Sequence, residues 1–429
     1  MIEQRRAVVL MLDGLRRDFV TPALMPRLAA FRQRATWCDQ HLSVFPSVTR
    51  VVSSSVATGC RPARHRLAGN TIAMLENGAL ALFDAGKPEF IADKQRLTGA
   101  ALAMPTLAER LAALGGAVIY NNVSPGAAYL HDPLGHGHVY HRAGSFGPGR
   151  EPITGEAALT IAGDLDGDAT LVARFTTEAI DEGRPALALA WLGHPDTTQH
   201  DCPLGSAQHH AALRRADAHA GAVIDAVEAA RRRGEEILLL IGSDHGHQTV
   251  SGVVDIAGEL VAAGLKDGPD STDVVVAPNG TAALIYVDSR HDDRVARLGA
   301  YLADRPWVGR LIAPDEFEKF GVPAGGCLAF AVAMAADDEA VNEYGVRGLS
   351  LAAKPAAGKP DRLGCGQHGG LGRYEQSPVL MLDGPGFEAE AVIAAATSAI
   401  DLAPTLLAFL GHDAAGLDGR PLQLRPDQP

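Results

Sequence analysis

The sequence predicts an α/β fold in which helices cover both faces of a mainly parallel sheet. Three short runs, at residues 7–12, 186–192 and 237–241, are continuously apolar rather than alternating, which is typical of strands buried on both faces. Helical periodicity is found between them, at 106–114 and 213–227. This alternation of strands and helices is the pattern of a parallel sheet with crossover helices.

Polar residues follow each of these predicted strands directly. Asp13 comes after the first run, Asp196 closes a Gly-His-Pro-Asp segment after the second, and the pair Asp244 and His245 comes after the third. The carboxyl ends of parallel strands form the edge at which open α/β sheets build their sites. We therefore expect these side chains to lie close together.

Two stretches interrupt the alternation. Residues 120–164 are rich in Gly, Pro and His, and residues 278–356 carry strand and helix patterns of their own. We predict a core unit over 1–277 that includes the inserted loop region 120–164, a smaller α+β cap inserted over 278–356, and a return to the core over 357–429. A chain of 429 residues is long enough for such a division.

The charge balance limits the kind of partner. Acidic residues outnumber basic ones by 51 to 38, which gives a formal net charge of −13. This excess disfavours binding to a nucleic-acid polymer, since that affinity depends on basic side chains. A small anionic ligand stays compatible with the charge, because bound divalent cations reverse its sign locally.

Cysteine usage and hydropathy bear on the compartment. The five cysteines are scattered without a close pair, so neither a disulfide framework nor a thiolate zinc cluster is indicated, and a cytoplasmic location is expected. The run at 7–12 is too short for a signal peptide, and no other segment reads as a membrane span. The sequence leaves the oligomeric state open.

Three carboxylates and three imidazoles form the candidate metal site, namely Asp13, Asp196, His200, Asp244, His245 and His368. Oxygen and nitrogen ligands without thiolate suit zinc, or else manganese, better than calcium or magnesium. Asp196 and His200 are four residues apart, so a helical turn would project both toward one ion. His194 and His247 are neighbours of these ligands and are left outside the predicted set.

Thr49 is the predicted nucleophile. It lies in a hydroxyl-rich segment, 45–59, whose second half has helical spacing, so we expect it near a helix start. Backbone N–H groups at a helix start favour an anion, and a metal ion there could ionise the hydroxyl.

These pieces, in this order, resemble the alkaline phosphatase superfamily, and most closely its nucleotide pyrophosphatase/phosphodiesterase branch, which includes phosphonoacetate hydrolases. That branch combines a strand-end Asp, a nucleophile nine residues ahead of Thr-Gly, an Asp-x-x-x-His, an Asp-His pair and a late His. The matching residues here are Asp13, Thr49 ahead of Thr58-Gly59, Asp196 with His200, Asp244 with His245, and His368. The resemblance extends over nearly the whole chain.

The resemblance implies an alkaline-phosphatase-like fold with two divalent metal ions. One ion would be held by Asp196, His200 and His368, and the other by Asp13, Thr49, Asp244 and His245. It further implies a hydrolase of phosphodiester or phosphonate-type substrates, in which Thr49 attacks in line and forms a covalent phosphothreonine intermediate.

The residues that contact the transferred phosphoryl group are predicted less directly by the motifs. In the diesterase branch an asparagine close behind the threonine stabilises the transition state, whereas Arg50-Val51-Val52 follow Thr49 here. Arg50, Asn70 or Asn122 could donate to a phosphoryl oxygen instead. Arg50 could also bind an extra substrate charge, which would favour a monoester or an anionic phosphonate over a bulky diester.

Other functions stay open at this point. The main alternative is a phosphonoacetate hydrolase-like C–P hydrolase or a phosphomonoesterase, although residues 120–125 carry no lysine pair of the kind that binds carboxylate in phosphonoacetate hydrolases. A phosphomutase, a sulfatase and a metal-stabilised binding protein rank lower. Cys60 begins a sulfatase-like Cys-x-Pro-x-Arg segment, but it follows Thr58-Gly59 instead of preceding it by nine residues.

Overall fold

A ten-stranded sheet forms the centre of the fold. The computed structural model describes residues 5–291, 293–356 and 358–423. The strands of the sheet lie in the spatial order Val392–Ile393, Thr36–Cys38, Leu380–Asp383, Ile237–Gly242, Arg6–Leu12, Leu187–Leu192, Ala117–Asn121, His138–His141, Ser145–Phe146 and Pro152–Ile153. Residues 1–4 and 424–429 of the predicted core unit lie outside the described residues.

The middle of this sheet is parallel. Arg6–Leu12 pairs in parallel with Leu187–Leu192 on one side and with Ile237–Gly242 on the other. Leu187–Leu192 pairs in parallel with Ala117–Asn121, whereas Leu380–Asp383 runs antiparallel to Ile237–Gly242. The three predicted strands are all present in this sheet as Arg6–Leu12, Leu187–Leu192 and Ile237–Gly242. Every residue in them is buried, as expected for continuous apolar runs.

Helices cover both faces of the sheet. Val9 and Met11 of the first strand belong to one hydrophobic core, and Val8 and Leu10 belong to a second core on the opposite face. The first core is covered by helices Thr49–Thr58, Leu107–Leu111 and Leu402–Phe409, and the second by Pro26–Arg32, Leu165–Arg174 and Ala207–Arg232. The predicted fold class is therefore confirmed.

Two four-stranded sheets lie in the second half of the chain. One consists of Val274–Asn279, Ala282–Val287, Leu328–Met334 and Val308–Ile312, and the other of Ala336–Val341, Arg347–Ala353, Gln248–Val254 and Gly366–Gln367. The first has a hydrophobic core of its own, which helices Ile256–Ala262 and Asp293–Ala303 complete. The strands of the segment 278–356 belong to these sheets, but Gln248–Val254 and most of Val274–Asn279 join them from earlier in the chain and Gly366–Gln367 from later.

The remaining elements are short. Thr71–Glu76 pairs with Ala79–Asp84, and His41–Leu42 pairs with Thr397–Ser398. The other α-helices are Pro62–His65, Phe90–Thr98, Pro125–Tyr129, Asp196–Asp201 and Phe317–Phe320, and a π-helix, Phe175–Gly183, continues Leu165–Arg174. The 3₁₀ turns are Arg17–Phe19, Ala112–Leu114, Pro148–Arg150, Gly155–Ala157, Ser289–His291, Pro314–Glu316 and Ala399–Asp401.

The two predicted helices have identifiable boundaries. The Thr106 side chain accepts a hydrogen bond from the Glu109 backbone and caps Leu107–Leu111, which continues as a 3₁₀ turn up to Gly115. The periodic segment 213–227 is the middle of Ala207–Arg232, capped by Ser206. None of the described helices is both long and apolar enough to cross a bilayer.

Candidate active site

Gly14 makes the turn that brings the strand ends together. Its φ is +71°, and a Cβ atom there would lie 2.7 Å from His247 Nε2 and 2.9 Å from the Asp196 Cβ. Both the backbone conformation and the close approach therefore require glycine. The turn lets the Asp196 backbone N–H donate to the Asp13 carbonyl over 3.0 Å, which fixes the two strand ends side by side.

Asp13 and Asp244 each use one carboxylate oxygen within the protein. Trp191 Nε1 donates to Asp13 Oδ2 over 2.9 Å, and the Gly14 N–H donates to Asp244 Oδ1 over 3.0 Å. The other oxygens, Asp13 Oδ1 and Asp244 Oδ2, are buried without a hydrogen-bond partner among the described residues. A buried carboxylate oxygen without a partner is costly, so this pair is suited to a cation.

Three histidines have their Nδ1 atoms fixed by backbone carbonyls. His200 donates to Gly366 over 2.9 Å, His368 to Ser47 over 2.7 Å, and His245 to Gly246 over 3.1 Å. Because a carbonyl can only accept, Nδ1 carries the proton, and the Nε2 of each neutral ring is left with a free lone pair. This is the tautomer in which a histidine binds a metal through Nε2.

The six predicted metal ligands lie together in two neighbouring groups. Asp196 Oδ1 lies 3.5 Å from the Nε2 atoms of both His200 and His368. His245 Nε2 lies 3.6 Å from Asp13 Oδ1 and 3.1 Å from Asp244 Oδ2. The rings of His245 and His368 stack with centroids 3.5 Å apart, so the two groups are in contact.

His247 joins the cluster, although the sequence analysis left it outside the ligand set. Its Nε2 lies 2.7 Å from Asp196 Oδ1, and its Nδ1 is buried without a partner in the described part of the chain. Ligand atoms of Asp196, His245, His247 and His368 all lie within 4.8 Å of one another, as do those of Asp13, Asp244 and His245. The sequence signal that could have identified His247 is its position directly after Asp244, His245 and Gly246 at the end of the third strand.

The electrostatics of this cluster favour bound cations. Burial, reinforced by the negative charge of Asp244, raises the pKa of Asp13 well above its usual value. Burial, together with the adjacent ring of His245, lowers the pKa of His368 well below its usual value. A neutral imidazole is the form that binds a metal, and a cation would favour the ionised carboxylate, so the residues present fit divalent ions.

Thr49 lies beside the Asp13, Asp244 and His245 group. It is the first residue of the helix Thr49–Thr58, and its Oγ1 lies 3.1 Å from His245 Nε2. In the first helical turn the Arg50 N–H donates to Asn70 Oδ1, and those of Val51 and Val52 donate to the Val48 carbonyl. The Thr49 N–H is left without an acceptor among the described residues, and together with the helix dipole it favours an anion at this end. A hydroxyl, a helix N-terminus and metal-ligating side chains thus meet at one place.

A pocket of about 400 Å³ opens at Thr49. Asp196, His200 and His368 line it, and so do the three predicted substrate contacts, Arg50, Asn70 and Asn122. Asn70 Oδ1 accepts from the Arg50 backbone N–H over 3.1 Å, and its Nδ2 has no acceptor in the described part of the chain. Arg50 Nε donates to Ser124 Oγ over 2.9 Å, which orients the guanidinium.

The amide of Asn122 is already engaged within the protein. Its Nδ2 donates to the Ala162 carbonyl over 3.2 Å and to Asp168 Oδ1 over 2.8 Å, while its Oδ1 accepts from Arg142 over 2.9 Å. Asp168 is buried and also accepts from the backbone N–H groups of Gly193 and His194, so it holds the segment that leads to Asp196. No sequence motif marks Asp168, so it was not among the predicted site residues.

Cys60 lies outside the pocket. It is fully buried, it is not among the residues that line the site, and burial raises the pKa of its thiol. This position agrees with the argument from motif spacing and gives no support to a sulfatase.

Comparison with known proteins relates the chain to one family. Residues 7–314 match the sequence model described as type I phosphodiesterase / nucleotide pyrophosphatase. Two structures of murine ectonucleotide pyrophosphatase/phosphodiesterase 5 share the fold at 18% identity, with TM-scores of 0.68 and 0.67, and they cover 96% and 97% of this chain and 97% of the murine chains. The second is an inactive threonine-to-alanine variant in complex with AMP. A search of curated proteins gives no significant match.

Proposed function

Because the chain belongs to the type I phosphodiesterase / nucleotide pyrophosphatase family, we propose that it cleaves phosphodiester or phosphonate-type substrates with Thr49 as nucleophile. The family resemblance drawn from the motifs is confirmed. The observation that carries the finer proposal is the position of Thr49, whose Oγ1 lies 3.1 Å from His245 Nε2 at the end of a pocket lined by Asp196, His200 and His368. The inactive threonine-to-alanine variant of the murine neighbour supports a threonine in this role.

Two divalent ions, zinc or alternatively manganese, fit the chemistry of the donor set. We propose that one is held by Asp196, His200 and His368, and the other by Asp13, Thr49, Asp244 and His245. When bound, such ions would offset the charge of the phosphoryl oxygens and lower the pKa of the attacking hydroxyl. His247 would position Asp196 through the 2.7 Å contact between Nε2 and Oδ1.

The residues of the chain supply the nucleophile and stabilise the negative charge on the phosphoryl group. Thr49 Oγ1 forms a bond to phosphorus as the bond to the leaving oxygen breaks, and water then hydrolyses the phosphothreonine. The Thr49 N–H at the helix start and Asn70 Nδ2 would donate to the phosphoryl oxygens, where negative charge accumulates, because the next three N–H groups are engaged by Asn70 Oδ1 and the Val48 carbonyl. Asn70 suits this role better than Asn122, because its donor is not engaged by another described residue.

The pocket also bears on which substrate is preferred. The AMP complex of the murine neighbour makes nucleotide esters the first compounds to assay. In this chain, however, the described residues that line the pocket include no Phe, Tyr or Trp to stack on a base. Its Arg and Lys side chains are Arg50, Arg142, Lys359 and Arg362, of which Lys359 is paired with Asp84 and Arg362 with Asp201. Arg50 and Arg142 favour a compact substrate with an extra negative charge, so a phosphomonoester or an anionic phosphonate is the second candidate.

The division into a core over 1–277 and 357–429 and a cap over 278–356 is part of this proposal. We also propose a reducing, cytoplasmic location, which the free state of all five cysteines supports.

A substrate panel on protein of known metal content tests this proposal. A nucleotide ester, the nitrophenyl diester, monoester, phosphonate monoester and sulfate ester, and phosphonoacetate would be compared at one zinc loading. We expect about two ions per chain and kcat/KM highest for a phosphoryl or phosphonyl substrate, and we expect Asp244→Asn to lose about one ion per chain together with turnover. Full activity of a metal-free protein, or a preference for the sulfate ester, would contradict the proposal.

A further inference from the structure

A second cavity, of about 200 Å³, lies away from the metal-ligand cluster. Its walls come from the hairpin strand Thr71–Glu76, the helix Phe90–Thr98 and the sheet strands Ala282–Val287 and Leu328–Met334. None of the residues proposed for catalysis lines it. Pockets for drug-sized ligands measure roughly 300–1,000 Å³, so a ligand of this cavity would be small.

Lys94 places a buried ammonium group at this cavity. The residue is 2% exposed, and the acceptor for its Nζ among the described residues is the Ala100 carbonyl at 3.1 Å. An ammonium has three donors, so most of its hydrogen-bonding capacity is unused by the protein. Burial, and after it the positive charge of Arg66, lowers the pKa of Lys94 to about 8.

Arg66 is the second cation at the cavity. Its backbone is left-handed, with φ of +67°, where the helix Pro62–His65 ends, and its Nη2 donates to the Ala324 carbonyl over 2.9 Å. Within the described ranges, neither Arg66 nor Lys94 pairs with a carboxylate. Lys94 is buried and Arg66 is exposed, and their like charges repel each other unless an anion lies between them.

Most of the remaining wall is apolar. It is formed by buried side chains, namely Ala68, Ile72, Ala73, Met74, Tyr286 and Leu328. Such a wall gains free energy by covering methylene groups but cannot solvate a bare inorganic anion. The cavity thus combines a cationic end with an apolar wall, which is the complement of a short amphipathic anion.

We propose that this cavity binds a short-chain aliphatic monocarboxylate. The carboxylate lies between Lys94 and Arg66, and the alkyl chain packs against Ile72, Met74 and Leu328. This site is separate from the phosphoryl site and does not depend on the function proposed for it.

Calorimetric titration of the full chain with hexanoate near neutral pH tests the proposal directly. We expect one saturable site per chain. Acetate lacks the alkyl tail, hexanol lacks the charge and hexylamine carries the opposite charge, so each should bind at least about tenfold more weakly. Absence of saturable hexanoate binding, or equal binding of hexylamine, would overturn the proposal.

Two variants distinguish hexanoate binding in the cavity from adventitious binding elsewhere. Lys94→Met keeps an unbranched chain and removes the charge, and we expect hexanoate affinity to fall at least about tenfold without loss of thermal stability. Arg66 is exposed, so Arg66→Gln should fold normally and also weaken binding. Lys354→Met, which removes an exposed lysine elsewhere, should leave the affinity unchanged. Wild-type affinity in both Lys94→Met and Arg66→Gln would refute the site.

Discussion

At the residue scale, one arrangement is shared by five ligand candidates, namely Asp13, Asp244, His200, His245 and His368. Each side chain has one polar atom held by the protein, and the other faces the site. Orientation of this kind is set by folding, so little ordering is left for metal binding. Asn70 is oriented in the same way, because its Oδ1 accepts from the Arg50 backbone N–H while its Nδ2 is left for the pocket.

Asn70→Ala should lower kcat about a hundredfold with little change in KM, since the lost donor acts mainly on charge that develops in the transition state. Steady-state kinetics on the preferred phosphoryl substrate would measure this. Asn122→Ala is the matched control, because its amide is engaged by Asp168 and Arg142. A larger loss of kcat in Asn122→Ala than in Asn70→Ala would reverse the assignment.

Arg50→Ala should raise KM about tenfold more for a monoester or an anionic phosphonate than for a diester with a neutral leaving group, because a charge-assisted hydrogen bond is lost only with the former. Ser124→Ala, which frees Arg50 Nε without removing the charge, should show the same trend more weakly. Equal losses on both substrate types would rule out charge recognition by Arg50.

The site residues differ in how far sequence could predict them. Asp13, Thr49 and His368 belong to ordered motifs, and the structure places them near one another. His247 and Asp168 did not follow from a motif, since their roles depend on which side chain lies opposite after folding. Asn70 could be named as one of three candidate donors, but only the folded structure distinguishes its unengaged Nδ2 from that of Asn122, which donates to Ala162 and Asp168.

At the scale of elements, strand ends and one buried carboxylate hold the site in place. Glu375 is fully buried and accepts from Thr281 Oγ1 over 2.5 Å, Ser350 Oγ over 2.8 Å and the Gly370 N–H over 2.6 Å. It thereby ties the segment that carries His368 to both of the smaller sheets. Burial raises the pKa of Glu375 to about 7.

This raised pKa predicts a pH-dependent stability. The unfolded pKa is about 4.3, so between about pH 4.5 and 7 the folded state binds more protons than the unfolded state, and its free energy of unfolding falls as pH rises. Glu375→Gln removes this titration. In chelator-treated protein, urea unfolding should show the variant gaining stability relative to wild type across that window.

Glu343→Gln, an exposed position, serves as the control and should run parallel to wild type. A constant difference between Glu375→Gln and wild type from acid to neutral pH would show that Glu375 does not titrate there.

Strands and helices were predictable where one pattern dominated. The three apolar runs became adjacent parallel strands, and the periodic segment 213–227 became part of a long helix. The smaller sheets were not predictable in detail, because Gln248–Val254 pairs with Arg347–Ala353 across about a hundred residues of chain, and such pairing leaves no local signal.

For the whole molecule, we expect the cluster to link stability to metal content. The buried carboxylates Asp13, Asp196 and Asp244 lie close together, so folding without cations carries a cost from burial and repulsion. Ions that bind only the folded state would add about 2.7 kcal/mol at a free concentration a hundred times their Kd.

Chelation should therefore lower Tm by several degrees, and added zinc should restore it, as measured by calorimetry. Asp244→Asn removes a ligand of one proposed ion, so chelation should lower the Tm of this variant less than that of the wild type. Identical Tm values with and without chelator in the wild-type chain would show that no ion contributes to the folded state.

The most direct test of the account is the turnover of Thr49→Ala at measured metal content. If Thr49 is the nucleophile, turnover falls by at least about a thousandfold while most of the metal is retained, and Thr49→Ser recovers part of the rate because it restores a hydroxyl. Turnover close to wild type in Thr49→Ala would contradict the account.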